Sequence, residues 1–356
     1  MKLLSLLHRW SGGTLGLLLA LLGLSGTILL WEGEWISLPG SNDPVIERVE
    51  TIGRIASREA ADGATRITFA SEEIGLHHVA KEGGAGAYVA QDGTSVAQWS
   101  SQWERPELWL FDLHHHLFAG HNGELIAGWA GVLGLFFVLT GSILWWRSRR
   151  KFELRLWPRR FKPGPIVKHH RDLGIVVAPL LLVSFVTGTG MIFGDAYKAM
   201  LAPLGRGIES GKPPEAGPAR GTPRIAQMLA TSKQRFPNAA LRRLTIPSTP
   251  GQPWSIRMRQ PFEWTPNGRT TLHFDGTGKL LRVDDPAVAG KAAAVMETFY
   301  PVHTAKVGGI LWKLLMTASG LGLSLLGSLG VWSFWIRRNK WKPVRSSARN
   351  PVAEAA

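Results

Sequence analysis

The sequence HRWSGGTLGLLLALLGLSGTILL occupies residues 8–30 and consists of a basic pair followed by a long apolar stretch. Shifted by 162 positions without a gap, it overlays residues 170–192 and is identical at 7 of 23 positions. The identities include His8 on His170, and Gly26 on Gly188. Because histidine and glycine are hard to interchange with other residues, these matches indicate an internal repeat.

A second pair of segments repeats with an offset of 189. Residues 114–146 then overlay residues 303–335, which aligns His114 with His303. Together the two offsets predict a duplicated unit of helix, external segment and helix, with a histidine at the start of every helix. Two parallel repeats related by an axis along the membrane normal would bring His8 near His170 and His114 near His303.

Four apolar stretches place the chain among membrane proteins. Each has about 20 or more mostly apolar residues, which is enough to cross a hydrocarbon core of roughly 30 Å. They are residues 12–31, 125–146, 173–193 and 310–336. The sequence therefore predicts a mainly α membrane protein with four transmembrane helices, arranged as two parallel repeats.

The net charge of +15 lies in three short segments. Residues 1–9 contribute +2, residues 147–168 contribute +8 and residues 337–356 contribute +5. By the positive-inside rule we expect both termini and the basic loop on the cytoplasmic side, and no nucleic-acid partner. The chain has no cysteine, which excludes disulfides, thiolate ligands, iron–sulfur clusters and covalently attached c-type haem.

The polar segments between the helices are expected to be two α+β domains outside the membrane. Asp92-Gly93 lies between strand-like stretches, and a second turn of this kind lies at Asp275-Gly276-Thr277-Gly278, so a hairpin is predicted at each. The stretch 202–224 has the Pro and Gly content of a linker. The predicted boundaries are 1–35 for transmembrane helix 1, 36–106 for external domain 1, 107–146 for a surface helix and transmembrane helix 2, 147–168 for the basic loop, 169–194 for transmembrane helix 3, 195–300 for external domain 2, 301–336 for transmembrane helix 4 and 337–356 for the basic tail.

The four repeated histidines are candidate cofactor ligands. Two neutral imidazoles that face each other across a helix bundle can bind a b-type haem iron from both sides. Arg9 and Arg171, each next to a histidine, are candidates to neutralise haem propionates, although positive-inside anchoring explains them equally well. Glycines line the candidate helices, and they suit either close helix packing or the room that a porphyrin plane needs.

These motifs give the chain a resemblance to the PepSY-associated transmembrane helix family of bacterial inner-membrane proteins. The resemblance rests on His-Arg at 8–9 and 170–171, on LHHHLF at 113–118 and on PVHTAKVGG at 301–309, and it covers nearly the whole chain. It implies four spanning helices, periplasmic PepSY-like domains and, in ferric-siderophore reductase members, b-type haems on the helix histidines.

By motif, the haem-ligand role falls on His8, His114, His170 and His303, with two haems the expected number. Related sequences have His-Arg-Ser where this chain has three successive histidines, so the second ligand is open among them. The alternates are His115, His116, His169 and also His121, which would share a face with His114 on a continuous helix.

The predicted function is transmembrane electron transfer. Electrons from a cytoplasmic reductase or membrane quinol would reduce Fe(III) held in a siderophore at the external face. Two other functions stay open: a haem-free membrane regulator or siderophore permease, and a copper or zinc site built from His77, His78 and residues 114–116.

The substrate is expected at the outer rim of the bundle, beneath the external domains. Aromatic and cationic side chains suit the apolar and acidic parts of a ferric chelate. The sequence offers Trp99, Trp103, Trp109, Trp254 and Trp264 with Arg257, Arg259 and Arg269. Interfacial tryptophans and exposed strand charges are the other explanation for these residues.

Overall fold

The computed structural model describes residues 2–205, 212–216 and 223–339. Most of the predicted basic tail, and part of the predicted linker at 202–224, lie outside the described residues. The helices are α1 (Lys2–Leu29), α2 (Glu32–Trp35), α3 (Val49–Ala61), α4 (Pro106–His116), α5 (Gly120–Trp146), α6 (Pro163–Ile192), α7 (Gly194–Leu201), α8 (Ile225–Arg235), α9 (Lys291–Glu297), α10 (Phe299–His303) and α11 (Gly309–Asn339). The strands are β1 (Ala64–Thr68), β2 (His77–Lys81), β3 (Gly86–Val89), β4 (Ser95–Trp99), β5 (Ala240–Thr245), β6 (Trp254–Arg259), β7 (Thr270–Phe274) and β8 (Leu280–Asp284).

Helices α1, α5, α6 and α11 are long and apolar enough to cross a membrane, as the sequence predicted. They form a bundle in which α1 packs against α11, and α6 packs against both α5 and α11. Glycines allow the closest approach: a Cβ at Gly327 would lie 2.3 Å from the Gly16 carbonyl oxygen. Small residues at such crossings bring helix backbones into van der Waals contact, which is how helices associate in lipid.

The third long helix begins at Pro163, six residues before the predicted boundary at residue 169. Proline suits the first turn of a helix, because its fixed φ is helical and its missing N–H has no intrahelical partner there. The last residues of the predicted basic loop, 163–168, are therefore helical. Likewise α1 begins at Lys2, about ten residues before the apolar stretch at 12–31.

The two segments that were predicted to be external domains together form a single antiparallel sheet of eight strands. Its order is β4-β3-β2-β1-β5-β6-β7-β8, so each segment contributes four consecutive strands. The segments join where β1 pairs with β5, for example through Ile67 opposite Leu244. Both predicted hairpins are present, with positive φ at Gly93 (98°) and Gly278 (89°).

The sheet has one apolar face and a second face, which we call the polar face, where Leu76, Tyr88 and Trp99 form a smaller buried cluster. Helices α3 and α8 cover the apolar face, where Ile55, Met228 and Leu244 are buried in the main hydrophobic core. On the polar face, Tyr88 donates a hydrogen bond to Glu107 at the start of α4. We call the end of the bundle next to the sheet the sheet end, and the end next to residues 147–162 the loop end.

Fusions of reporter proteins test which side of the membrane the sheet occupies. The charge distribution predicts that fusions at Gly93 and Gly278 are active only with a reporter that needs export, since both residues lie in sheet hairpins. A fusion at Lys151, at the loop end, should be active only with a cytoplasmic reporter. Activity of a cytoplasmic reporter fused at Gly93 or Gly278 would contradict the predicted orientation.

Candidate functional site

Two histidine pairs lie inside the bundle, one near each end. At the loop end the ring centres of His8 and His170 are 6.3 Å apart. At the sheet end the ring centres of His114 and His303 are 6.4 Å apart. The structure thus brings together the residues that the two sequence offsets paired, and each pair joins opposite halves of the chain.

Hydroxyl groups hold three of these rings in one tautomer. Ser25 Oγ lies 3.0 Å from His114 Nδ1, and Thr187 Oγ1 lies 3.0 Å from His303 Nδ1. Each hydroxyl donates its own hydrogen to a carbonyl one turn back in its helix, at 2.9 Å and 2.7 Å respectively. The hydroxyl oxygen therefore accepts a hydrogen bond from Nδ1–H, which leaves Nε2 of each ring unprotonated.

The ring of His8 is held in the same way. Its Nδ1 lies 2.7 Å from Thr140 Oγ1, and Thr140 donates to the Phe136 carbonyl at 2.7 Å. The fourth ring differs, because Nδ1 of His170 is buried without a hydrogen-bond partner. A hydrogen bond from the second ring nitrogen is what orients metal-binding histidines in proteins.

Two glycines allow the sheet-end histidine rings to pack against the long helices: Gly26 of α1 contacts His114, and Gly188 of α6 contacts His303. A Cβ at Gly26 would lie 2.8 Å from His114 Cε1, and a Cβ at Gly188 would lie 3.0 Å from His303 Cε1. The two histidine rings therefore pack directly on helix backbone, each beside its hydroxyl acceptor. No side chain larger than hydrogen fits at either position without moving the ring.

A cavity of about 900 Å³ opens between His8 and His170. Its volume is within the roughly 300–1,000 Å³ of ligand pockets in proteins. Gly174 and Gly330 line it, and a Cβ at these residues would come no closer than 4.0 Å and 3.6 Å to a neighbouring heavy atom. These glycines therefore leave space for a ligand, whereas Gly16 and Gly327 serve close helix packing.

The spacing of both pairs fits a metal ion held between two imidazoles. A metal–imidazole bond of about 2 Å, plus roughly 1 Å from the nitrogen to the ring centre on each side, gives about 6 Å between ring centres. The observed 6.3 Å and 6.4 Å agree with that sum. The loop-end pair also has a cavity for the porphyrin that would surround such an iron.

Three arginines line the loop-end cavity: Arg9, Arg171 and Arg337. Arg9 is exposed, which leaves it suited to a propionate at the cavity mouth. Arg171 already has a carboxylate partner, since its Nε lies 2.6 Å from Asp172 Oδ1. Its charge is therefore shared with Asp172, a contact that the sequence reasoning did not foresee.

Asp172 is the centre of a buried ion cluster at the loop end. Its side chain is fully buried and also pairs with Arg155, a residue of the basic loop. The carbonyl of Arg155 is 3.1 Å from Nδ1 of His169, which is itself fully buried. These contacts fold the basic loop back onto α6, and they give His169 a role in holding that loop.

Replacing Asp172 with alanine should destabilise the protein strongly. The change leaves the guanidinium groups of Arg155 and Arg171 without their buried partner, which typically costs about 3–5 kcal/mol. Asp195 is a matched control, because its side chain is 99% exposed and its contact with Lys198 at 3.2 Å is a surface ion pair. Thermal unfolding in detergent should show a clear loss for Asp172→Ala and almost none for Asp195→Ala. Equal melting temperatures would contradict the assigned role of Asp172.

His115 and His116, the alternative ligands in the second motif, contact other side chains. His115 stacks on Phe111 with ring centres 4.1 Å apart, and His116 pairs with Asp112 at 3.0 Å. The helix is also not continuous beyond residue 116, so the premise for His121 as an alternate was wrong. His121 is exposed and lies 3.1 Å from Glu124.

The break after α4 has a steric basis. Leu117 and Phe118 have positive φ values of 48° and 59°. A Cβ at Gly123 would lie 1.6 Å from the His116 carbonyl oxygen, so the chain turns back closely on itself at this glycine. A corresponding break precedes α11 at Ala305, where φ is 52°.

The predicted substrate rim is only partly present. Trp254 is 7% exposed and lies in the core under α8, and Trp99 is 6% exposed beside Tyr88, so neither is free to contact a substrate. Arg257 and Arg259 alternate with these core positions on β6 and project to the polar face. The alternation of apolar and charged residues on β6 was visible in the sequence. The sequence did not show which face of the strand the helices would cover.

The structure does not support the copper or zinc alternative. Among residues 2–205, 212–216 and 223–339, no group of three or more metal-binding side chains is placed to hold an ion. His77 and His78 lie on β2, and burial lowers the pKa of each to about 4. Nδ1 of His77 accepts a hydrogen bond from the Ala70 amide at 3.0 Å, which is a structural role.

The residues that sequence reasoning missed are the hydroxyl acceptors and the buried carboxylate: Ser25, Thr140, Thr187 and Asp172. One signal for them was present. The offset of 162 that aligns His8 with His170 also places Ser25 on Thr187, two residues whose hydroxyls can accept the same hydrogen bond. Thr140 aligns with Leu329 and therefore gave no such signal.

A comparison with known families agrees with this architecture. The family model described as PepSY-associated TM region matches residues 5–338, which is nearly the whole chain. None of the curated proteins matches the chain.

Proposed function

This chain belongs to the PepSY-associated TM region family of membrane proteins, and from that premise we propose that it is a di-haem b ferric-chelate reductase. In this proposal electrons enter at the loop end from a quinol or a cytoplasmic reductase. They leave at the sheet end, where each Fe(III) bound in a siderophore takes up one electron and becomes Fe(II). The four-helix, multi-pass architecture provides the path between the two sides.

The observation that best supports the proposal is the state of the histidine rings. At His8, His114 and His303 a hydroxyl accepts the Nδ1 hydrogen, so the Nε2 lone pair is available to a metal. The distance between ring centres within each pair leaves room for one metal ion between the two imidazoles.

Haem bound at these pairs would supply one-electron redox chemistry at both ends of the bundle without an open iron position for oxygen. The protein's own residues fix the ligand geometry. Ser25, Thr140 and Thr187 orient the rings, and Gly174 and Gly330 keep the loop-end cavity open. Iron then leaves the chelate because Fe(II), with its lower charge, is held less tightly by hard oxygen donors.

We also propose that the chain arose by duplication and lies in a bacterial inner membrane with both termini cytoplasmic. Equivalent contacts at equal offsets support the duplication. Gly26 and Gly188 contact the sheet-end rings, and a Cβ at Gly141 or Gly330 would lie 3.5 Å from His8 Cε1 or 3.6 Å from His170 Nδ1, respectively. The orientation is supported by the basic residues at the loop end.

Reoxidation of the reduced protein tests the proposed activity. After anaerobic reduction with dithionite, addition of a ferric siderophore should reoxidise the haems and release Fe(II) in equal amounts, which a ferrous-specific chelator records. The Ga(III) complex of the same siderophore is a matched control, since gallium cannot accept the electron. Haem that stays reduced in the presence of every ferric chelate would contradict the reductase function.

A further inference from the structure

Three arginines form a cluster at the centre of the polar sheet face. Arg243 on β5 lies directly opposite Arg257 on β6. Arg66 on β1 is opposite Thr245, two residues from Arg243 on the same strand. Side chains at alternate positions of a strand, and at paired positions of neighbours, project to the same face. The three guanidinium groups therefore belong to one side of three adjacent strands.

These arginines have no directly bonded counter-ion within the described part of the chain, although the carboxylates of Glu297 and Glu263 act on Arg257 electrostatically. None of the three forms an ion pair or a hydrogen bond there, and Nε of Arg243 is buried without a partner. Neighbouring arginines are neutralised, since Arg242 lies 2.8 Å from Glu72 and Arg269 lies 2.8 Å from Glu297. We call Arg66, Arg243 and Arg257 the arginine cluster.

Burial without a counter-ion is costly for a cation. The pKa of Arg243 is lowered to about 10, first by its burial and then by the positive charges of Arg257 and Arg66. The positive field extends to His78, whose pKa falls to about 4 through burial, Arg66 and Arg243. Like charges directly opposite on adjacent strands are destabilising, so an anion bound here would relieve a real strain.

The arginine cluster is within electrostatic reach of α10, the short helix that carries His303. Tyr300 interacts electrostatically with Arg243, and its pKa is raised to about 12 by burial and by Glu73 and Glu32. Tyr300 and His303 belong to the same short helix, α10, three residues apart. An anion held by the arginine cluster would therefore be bound within electrostatic reach of the short helix that carries His303.

We propose that Arg66, Arg243 and Arg257 bind an anionic ferric chelate with free carboxylate groups. This inference rests on the proposed reductase function and specifies its substrate class. Guanidinium groups hold carboxylates through paired hydrogen bonds, and three of them on one face match a chelate with several acidic arms. A neutral ferric trihydroxamate offers the cluster no such charge and should bind more weakly.

The test measures binding to the full-length protein in detergent with probes that cannot be reduced. Ga(III)-citrate is the anionic probe and a neutral Ga(III) trihydroxamate is the comparison, with titration calorimetry as the readout. The wild-type protein should bind Ga(III)-citrate at least 10-fold more tightly than either the neutral probe or metal-free citrate. Arg243→Gln and Arg257→Gln should each weaken binding of Ga(III)-citrate about 10-fold.

Two further variants keep the result interpretable. Arg66 is exposed, so Arg66→Gln should fold normally and still weaken binding. Arg58→Gln removes the same charge from α3, on the opposite side of the sheet, and should leave binding unchanged. Equal affinity for the anionic and neutral probes, or wild-type affinity in Arg66→Gln and Arg257→Gln, would overturn the inference. Because gallium binding involves no electron transfer, the two proposals can fail separately. A protein that contains no haem after expression with sufficient haem, and still binds Ga(III)-citrate, would contradict the reductase function and leave the arginine cluster assigned.

Discussion

Replacing His8 or His170 with alanine is expected to remove one haem from the purified protein, and replacing His114 or His303 is expected to remove the other. Each change deletes one of the two imidazoles that face each other across 6.3 Å or 6.4 Å. A b-type haem has no covalent link to the protein, so loss of an axial ligand should release it. The haem content per chain, measured as the pyridine complex, should fall by about half in each single variant.

Double variants make this prediction sharper. Combining His8→Ala with His170→Ala should lose no more haem than either change alone, whereas His8→Ala with His303→Ala should lose both haems. His121→Ala is the control, because this residue is exposed and paired with Glu124. Full haem content in both His8→Ala and His170→Ala would show that the loop-end pair is not a ligand pair.

A leucine at Gly330 is expected to remove the loop-end haem while the protein stays folded. A Cβ at this position makes ordinary van der Waals contact with His170 Nδ1 at 3.6 Å, and the rest of a leucine side chain would extend into the cavity. One turn earlier on the same helix, Gly327→Leu should instead prevent folding, since its Cβ would lie 2.3 Å from the Gly16 carbonyl oxygen.

Size-exclusion chromatography and haem content together separate these two outcomes. Gly330→Leu should elute as the wild type with about half the haem, and Gly327→Leu should be recovered poorly or aggregated. If Gly330→Leu kept both haems, the cavity would not be a porphyrin site. If Gly327→Leu were folded and stable, the close packing of α1 on α11 would not be required.

Much of the bundle was predictable because lipid imposes a simple rule on sequence. Spanning helices need about 20 apolar residues, and four such stretches are visible. The repeat offsets also paired His8 with His170 and His114 with His303, which the structure brings together. The glycines in the two turn sequences predicted both hairpins correctly, because Gly93 and Gly278 have the positive φ that such turns need.

Other features depend on contacts between distant parts of the chain. The two polar segments join into one sheet because β1 pairs with β5, and these strands are more than 170 residues apart in sequence. Burial of Trp254 was not predictable, because alternation shows that a strand has two faces and not which of them a helix will cover. Asp172 gave no local signal, since its partner Arg155 comes from a loop of many similar basic residues.

The absorption spectrum of the purified protein, after expression with sufficient haem, tests the central claim most directly. The proposal predicts a Soret band, split visible bands on reduction with dithionite, and two haems b per chain. These are properties of low-spin iron with two histidine ligands, which the geometry of both pairs supports. A protein that is folded and haem-free under these conditions would contradict it, and a regulator or siderophore permease without haem would then be the better account.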